Sequence, residues 1–158
     1  MESAPRCLFV AGRLGAAYRA RMQTLEMTIG PLRFLLRLET EKAPNTCAAV
    51  CALLPIEAKA IQARWSGEAA WAPIDDIPLQ VDFENATSHP APGEILLYPG
   101  GYSEREILLP YGGTCFASKL GQLAGNHFAT VIEGNAQLAE MGRLVLWEGA
   151  QPLVIRAT

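Results

Sequence analysis

The sequence predicts a mainly β domain: a barrel of short strands with its ends covered by two short helices. Three observations carry this. Strand-like runs show period-two alternation, clusters of Pro, Gly, Asp and Asn separate them, and only two stretches have helical character. At 158 residues, half of them hydrophobic, the chain can bury one self-sufficient core.

Regular patterning begins near Leu25, so residues 24–158 read as the domain. Residues 1–23 read as a flexible N-terminal tail, with Arg6, Arg13, Arg19 and Arg21 against the single acid Glu2. A first strand over 25–29 meets the turn Gly30-Pro31. Beyond it Leu32, Phe34, Leu36 and Leu38 alternate with Arg33, Leu35, Arg37 and Glu39, the pattern of a half-buried strand. Pro44 suits the first turn of a helix that runs to Leu54 and stops at Pro55. Strands are then expected over 61–65, 68–71, 94–98, 106–109, 114–118 and 128–133. Tyr98-Pro99-Gly100-Gly101 has the residues of a type II turn and joins two apolar runs as a hairpin. Residues 73–92, rich in Pro, Asp and Asn, read as a long loop with at most one short strand. A helix over 137–141 and a strand over 153–155 complete the domain.

Composition excludes several classes. Charged residues are 18% of the chain and the net charge is −3 with no long run of either sign, which disfavours nucleic acid as a partner. The apolar run 7–11 is far shorter than the about 20 residues a bilayer requires, so no membrane span is expected. Cys7, Cys47, Cys51 and Cys115 form no CxxC pair, which fits a reducing cytoplasm. Cys47, Val50, Cys51 and Leu54 would share one helix face as core packing rather than as metal ligands. His127 has only His89 for company, whereas catalytic zinc usually takes three protein ligands. Serine-hydrolase, dinucleotide and nucleotide-triphosphate motifs are absent from the sequence, and no cofactor is expected.

Candidate chemistry gathers at turns. Arg64 and Glu68 lie four apart across a Gly67 bend, and Tyr98, Glu104, Asn126 and His127 lie in or beside turns, where binding groups concentrate. Arg64 could grip a carboxylate or imide oxygen with its planar fork, and Glu68 or His127 could move a proton. A plainer account competes at each position. Arg64 and Glu68 would serve equally as a surface ion pair contributing ~0–1 kcal/mol. Trp65, Trp71 and Trp147 would serve as core or barrel-end packing. Asn126 could simply hold a turn, and Gly100 and Gly101 need no role beyond the turn.

Two stretches resemble the cyclophilin superfamily. One is Glu41-Lys42-Ala43-Pro44-Asn45-Thr46 leading into a helix that ends in Leu53-Leu54. The other comprises Leu123-Ala124-Gly125-Asn126-His127, followed by Val131-Ile132-Glu133-Gly134. The chain is also similar, from Leu25 to Glu148, to a bacterial cyclophilin-like family catalogued as domain of unknown function 3830. The residues that carry this are 64–69 (RWSGEA), 83–87 (FENAT), 97–101 (LYPGG) and 124–129 (AGNHFA). The resemblance implies a closed eight-stranded cyclophilin-like barrel capped by two short helices. It implies for Arg64 the place of the arginine that polarises the amide in proline isomerases, with His127 and Phe116 at pocket positions. The accompanying phenylalanine and glutamine would fall among Ala69, Ala70, Trp71 and Ala72, and the tryptophan position holds Gln122.

The resulting expectation is a pocket with Arg64, Glu68 and His127 as catalytic groups, and Arg64, Trp65, Tyr98, Glu104, Phe116, Asn126 and His127 as ligand contacts. It would bind or transform a small polar carboxylate or amide. Related cyclophilin-like domains in lactam-opening enzymes imply a cyclic amide or imide. A proline isomerase with a degenerate site, or a non-catalytic partner-binding subunit, is the alternative, and a homodimer would be unsurprising.

Overall fold

The computed structural model describes residues 23–158. In β1 (Thr24–Ile29) Leu25, Met27 and Ile29 are buried, and in β2 (Leu32–Leu38) Phe34, Leu36 and Leu38 are. Each strand thus gives every second side chain to one core. They form a hairpin through Gly30, whose φ of +53° suits a residue without Cβ. β11 (Gln151–Ala157) pairs with β1 and with β3 (Ile56–Gln62), and β3 pairs with β4 (Gly67–Pro73). β4 pairs with β7 (Glu106–Thr114), β7 with β6 (Glu94–Tyr98), and β6 with β10 (Gly125–Glu133). Pairing of β10 with β2 closes the ring into an eight-stranded antiparallel barrel. β5 (Ala86–Thr87) adds to the start of β10, and β8 (Ala117–Ser118) with β9 (Gly121–Gln122) forms a separate small hairpin.

The barrel interior is filled by these inward residues together with Ile56, Ala70, Ala72, Ile95, Leu97, Ile107, Leu109, Val131, Leu153 and Ile155. Two helices close it. α1 (Pro44–Ala52) contributes Cys47 and Val50, with Pro44 in its first turn as expected. α2 (Leu138–Arg143) contributes Leu138 and Met141 and continues into a π turn (Leu144–Glu148) that adds Val145.

A second, smaller core lies on the outside of the barrel. Residues 115–123 fold back over β4, β7 and β6, so that Phe116 and Leu123 cover Ala69, Leu96, Tyr98 and Leu108, with Trp71 at the margin. These three strands are consequently apolar on both faces.

Several boundaries differ from the sequence expectation. α1 ends at Ala52, not Leu54. The strand expected over 61–65 is β3, which ends at Gln62, and Arg64–Ser66 form a 3-10 turn instead. Its inward residues include Ala58 and Ala60, too small to announce a strand. The strands expected over 106–109 and 114–118 are one long β7 plus the two-residue β8. β7 runs through Pro110 because the missing N–H falls on the side of Gly93, past the end of the β6 ladder at Leu108. Two tryptophans expected in packing positions are exposed, Trp65 at 47% and Trp147 at 73%. Cys7 and the proposed tail, apart from Gln23, lie outside the described residues. Among those described, no helix is long and apolar enough to cross a membrane.

Candidate functional site

Among the described residues, five polar or charged ones are buried: Glu26, Thr46, Ser66, Glu106 and Asn126. Four are fully engaged. Glu26 is held by Arg33 and Arg156, which keep its carboxyl below the ordinary range. Ser66 bonds both the N–H (3.1 Å) and the C=O (2.9 Å) of Ala117, pinning β8 to the 3-10 turn that carries Trp65. Asn126 donates to Thr46 Oγ1 (3.0 Å) and to the Asp82 carbonyl (2.9 Å), and accepts from Glu84 N–H (3.0 Å). Thr46 joins the same cluster, because its N–H donates to Glu84 Oε1 (2.5 Å) at the start of α1. Burial alone would raise the Glu84 carboxyl, but hydrogen bonds from Thr46 and Asn45 hold it below its ordinary value.

Glu106 is the exception. It is 3% exposed, yet its carboxyl makes no hydrogen bond or ion pair with any described residue. Burial, reinforced by the charges of Glu104 and Asp75, pushes it up to about 8. It sits at the start of β7 on the outer face, opposite Tyr98 on β6 and Pro73 on β4.

That carboxyl lines a cavity of about 200 Å³ between the barrel wall and the folded-back hairpin. One side is aromatic, formed by Trp65 and Trp71 with ring centroids 5.6 Å apart in an edge-to-face arrangement. The Trp71 Nε1–H is fully buried and has no hydrogen-bond partner, whereas the Glu106 oxygens keep some access to the cavity. The opposite side is polar: Ser103 and Glu104 from the loop after β6, and Ser118 and Lys119 from the hairpin. Ser103 Oγ donates to Glu104 Oε2 (2.7 Å), and with Glu104's own backbone N–H keeps that carboxyl ionised. The loop is anchored from both ends. The Tyr102 hydroxyl donates to the Leu120 carbonyl at the hairpin tip (2.8 Å), and the Arg105 guanidinium donates to the carbonyls of Asp75 (2.8 Å) and Leu79 (2.5 Å). Two wider depressions, of about 380 and 560 Å³, run along residues 79–84. Of their polar groups, Glu84 and Arg105 are already spent on holding α1 and the loops.

Of the residues singled out from the sequence, Trp65 and Glu104 line the Glu106 cavity and the others do not. Arg64 is exposed and forms no ion pair with Glu68 among the described residues. Glu68 instead accepts from Gly113 N–H (2.7 Å) where β4 and β7 shift register. Tyr98 is buried between Phe83 and Phe116, and its hydroxyl accepts from Tyr102 N–H (3.1 Å). Phe116 is fully buried in the outer core. Asn126 ties loop 82–84 to α1. His127 is separated from β4 by two strands, and its Nε2 meets Thr130 Oγ1 (2.9 Å), which donates to Glu39 (2.7 Å). The expected group of Arg64, Glu68 and His127 is therefore not brought together. Sequence reasoning passed over Glu106 and assigned Trp71 to packing. The available signal was an acid at a strand position sharing a face with Leu108 and paired across to Tyr98.

Residues 25–156 match the family described as protein of unknown function (DUF3830). The chain belongs to that family. The DUF3830 barrel is similar to McbB, whose structure was solved in complex with tryptophan, with a TM-score of 0.63 and 19% identity over 84% of this chain. This chain spans only 44% of McbB. It is also similar to the hypothetical protein AF2241 from Archaeoglobus fulgidus, known from a solution structure, with a TM-score of 0.60 and 18% identity. That likeness covers 87% of this chain and 95% of AF2241. Both likenesses show a shared cyclophilin-like barrel. A search of curated proteins finds no match. The DUF3830 stretch FENAT is explained by the fold: Glu84 caps α1, and Asn85, at φ +47°, donates to the His127 carbonyl (2.8 Å).

Proposed function

We propose that this protein binds a small polar molecule in the cavity between the barrel wall and the 115–123 hairpin, with Glu106 as the group that meets it. The observation that carries this is the carboxyl of a residue only 3% exposed, with no hydrogen bond, set in a cavity with an aromatic wall of Trp65 and Trp71. Leaving such a group unsatisfied costs about 1–3 kcal/mol, so a molecule that engages it recovers that cost on binding. The protonated Glu106 carboxyl can donate to an amide or carboxyl oxygen, which agrees with the ligand class expected from the sequence. Glu106, titrating near neutral pH, is also suited to donate or accept a proton there. At about 200 Å³, against ~30 Å³ per water, the cavity takes only a small ligand. The tryptophan in the McbB complex is a small amine- and carboxyl-bearing molecule in a protein that includes this fold. Proline isomerisation lacks comparable support, since none of the three cavities described above is lined by Arg64, Phe116 or His127.

The test is a titration of the full chain with small amides, carboxylates and amines, followed through the Trp71 indole N–H resonance. A saturable shift that weakens at least tenfold in Trp65→Ala supports the reading. No shift by any class at millimolar concentration, or a shift unchanged in Trp65→Ala and Glu106→Gln, refutes it.

A further inference from the structure

Charge around the cavity narrows the ligand further, on the premise that the cavity is the binding site. Glu106 is faced by Glu104 from the adjoining loop and by Asp75 from the segment after β4, and both oppose its ionisation. Arg105 is committed to Asp75 and the Leu79 carbonyl, and Lys119 at the hairpin tip acts on Glu104, so neither neutralises Glu106. An anionic ligand would add to this negative field. The aromatic side adds the complementary feature, because indole rings attract cations.

We infer that the cavity takes a molecule carrying a protonated amine, seated against the Glu106 carboxylate and the Trp65 and Trp71 rings. The ammonium gives the carboxylate its missing partner. Because Glu106 must ionise to receive the ammonium, binding at pH 7 displaces its proton to solvent, close to one proton for each ligand bound.

Three matched probes separate the possibilities: 4-aminobutanamide (cation), butanamide (neutral) and succinamate (anion). Each is titrated into the full chain by calorimetry at pH 6, 7 and 8 in buffers of different ionisation enthalpy. The expected result is preferential binding of 4-aminobutanamide, strengthening about tenfold from pH 6 to 7 and about fivefold more by pH 8, with proton release at pH 7. Glu106→Gln should lower the affinity for 4-aminobutanamide at least tenfold, and by more than it lowers that for butanamide. Equal or tighter binding of butanamide or succinamate overturns the amine inference while leaving the cavity as the binding site. Binding of 4-aminobutanamide without proton release, or unaffected by Glu106→Gln, also overturns it. If none of the three binds, both readings fall.

Discussion

The substitution Glu106→Gln tests the environment of this carboxyl directly, with no ligand present. A glutamate of ordinary exposure titrates near 4.5, and Glu106 in the folded chain near 8. Between these values the native protein holds a proton that the unfolded chain has already released. Stability therefore falls as pH rises, by at most about 1.4 kcal/mol per pH unit, and the loss levels off once pH passes the folded value. From pH 5 to pH 8 this amounts to about 3 kcal/mol. Glutamine at this position has no proton to lose, and all other titrating groups are common to both proteins. The stability of the wild type minus that of the variant should thus drop by about 3 kcal/mol over the window. For a chain of this size that corresponds to ~6–12 °C in the difference of Tm. Urea unfolding followed by tryptophan fluorescence at half-unit pH steps measures it. Parallel stability curves for the two proteins would show that Glu106 does not titrate across this window, and the account of its buried, unpartnered state would be wrong.

Two further substitutions probe the frame of the site. Asn126→Ala strips partners from Thr46 Oγ1, the Asp82 carbonyl and the Glu84 N–H, and should cost about 3 kcal/mol, with faster amide exchange across 82–87 and the first turn of α1. Protection unchanged there would show that the cluster does not couple the loop to the helix. Gly142→Ala places a Cβ 2.4–2.7 Å from the Tyr111 ring, whose hydroxyl is tied to Gln62 (2.6 Å), so denaturation should show a loss of about 1–3 kcal/mol. A neutral result would mean that α2 and Tyr111 separate freely.

Much of the barrel was legible where a strand has one wet face. β2 shows it: Phe34, Leu36 and Leu38 are buried while Arg33 and Arg37 are exposed, and the alternation is visible in the sequence. β7 was harder because both of its faces are covered, so its apolar run carries no period, and Pro110 with Gly112-Gly113 looked like an end. The cavity was hidden for a related reason. It exists because residues 115–123 fold back onto β4, β7 and β6, a long-range contact that no local pattern announces. Glu106 therefore looked like the solvated first residue of a strand. His127 and Arg64 were grouped because turns carry function in many proteins, but the chain order of turns does not reveal which strands stand between them. Glu104, read from the same turns, and Trp65, expected at the end of a strand, do reach the cavity wall.

The two separate cores have a consequence for how such a protein changes over time. The barrel is filled by its own strands and helices, whereas Ser103, Ser118 and Lys119 project from a loop and a hairpin laid over its outside. Substitutions at those three positions alter what the cavity admits without opening a void in the barrel interior. On the proposed reading, preference for one ligand over another would be rewritten on the overlay while the architecture beneath it stays as it was.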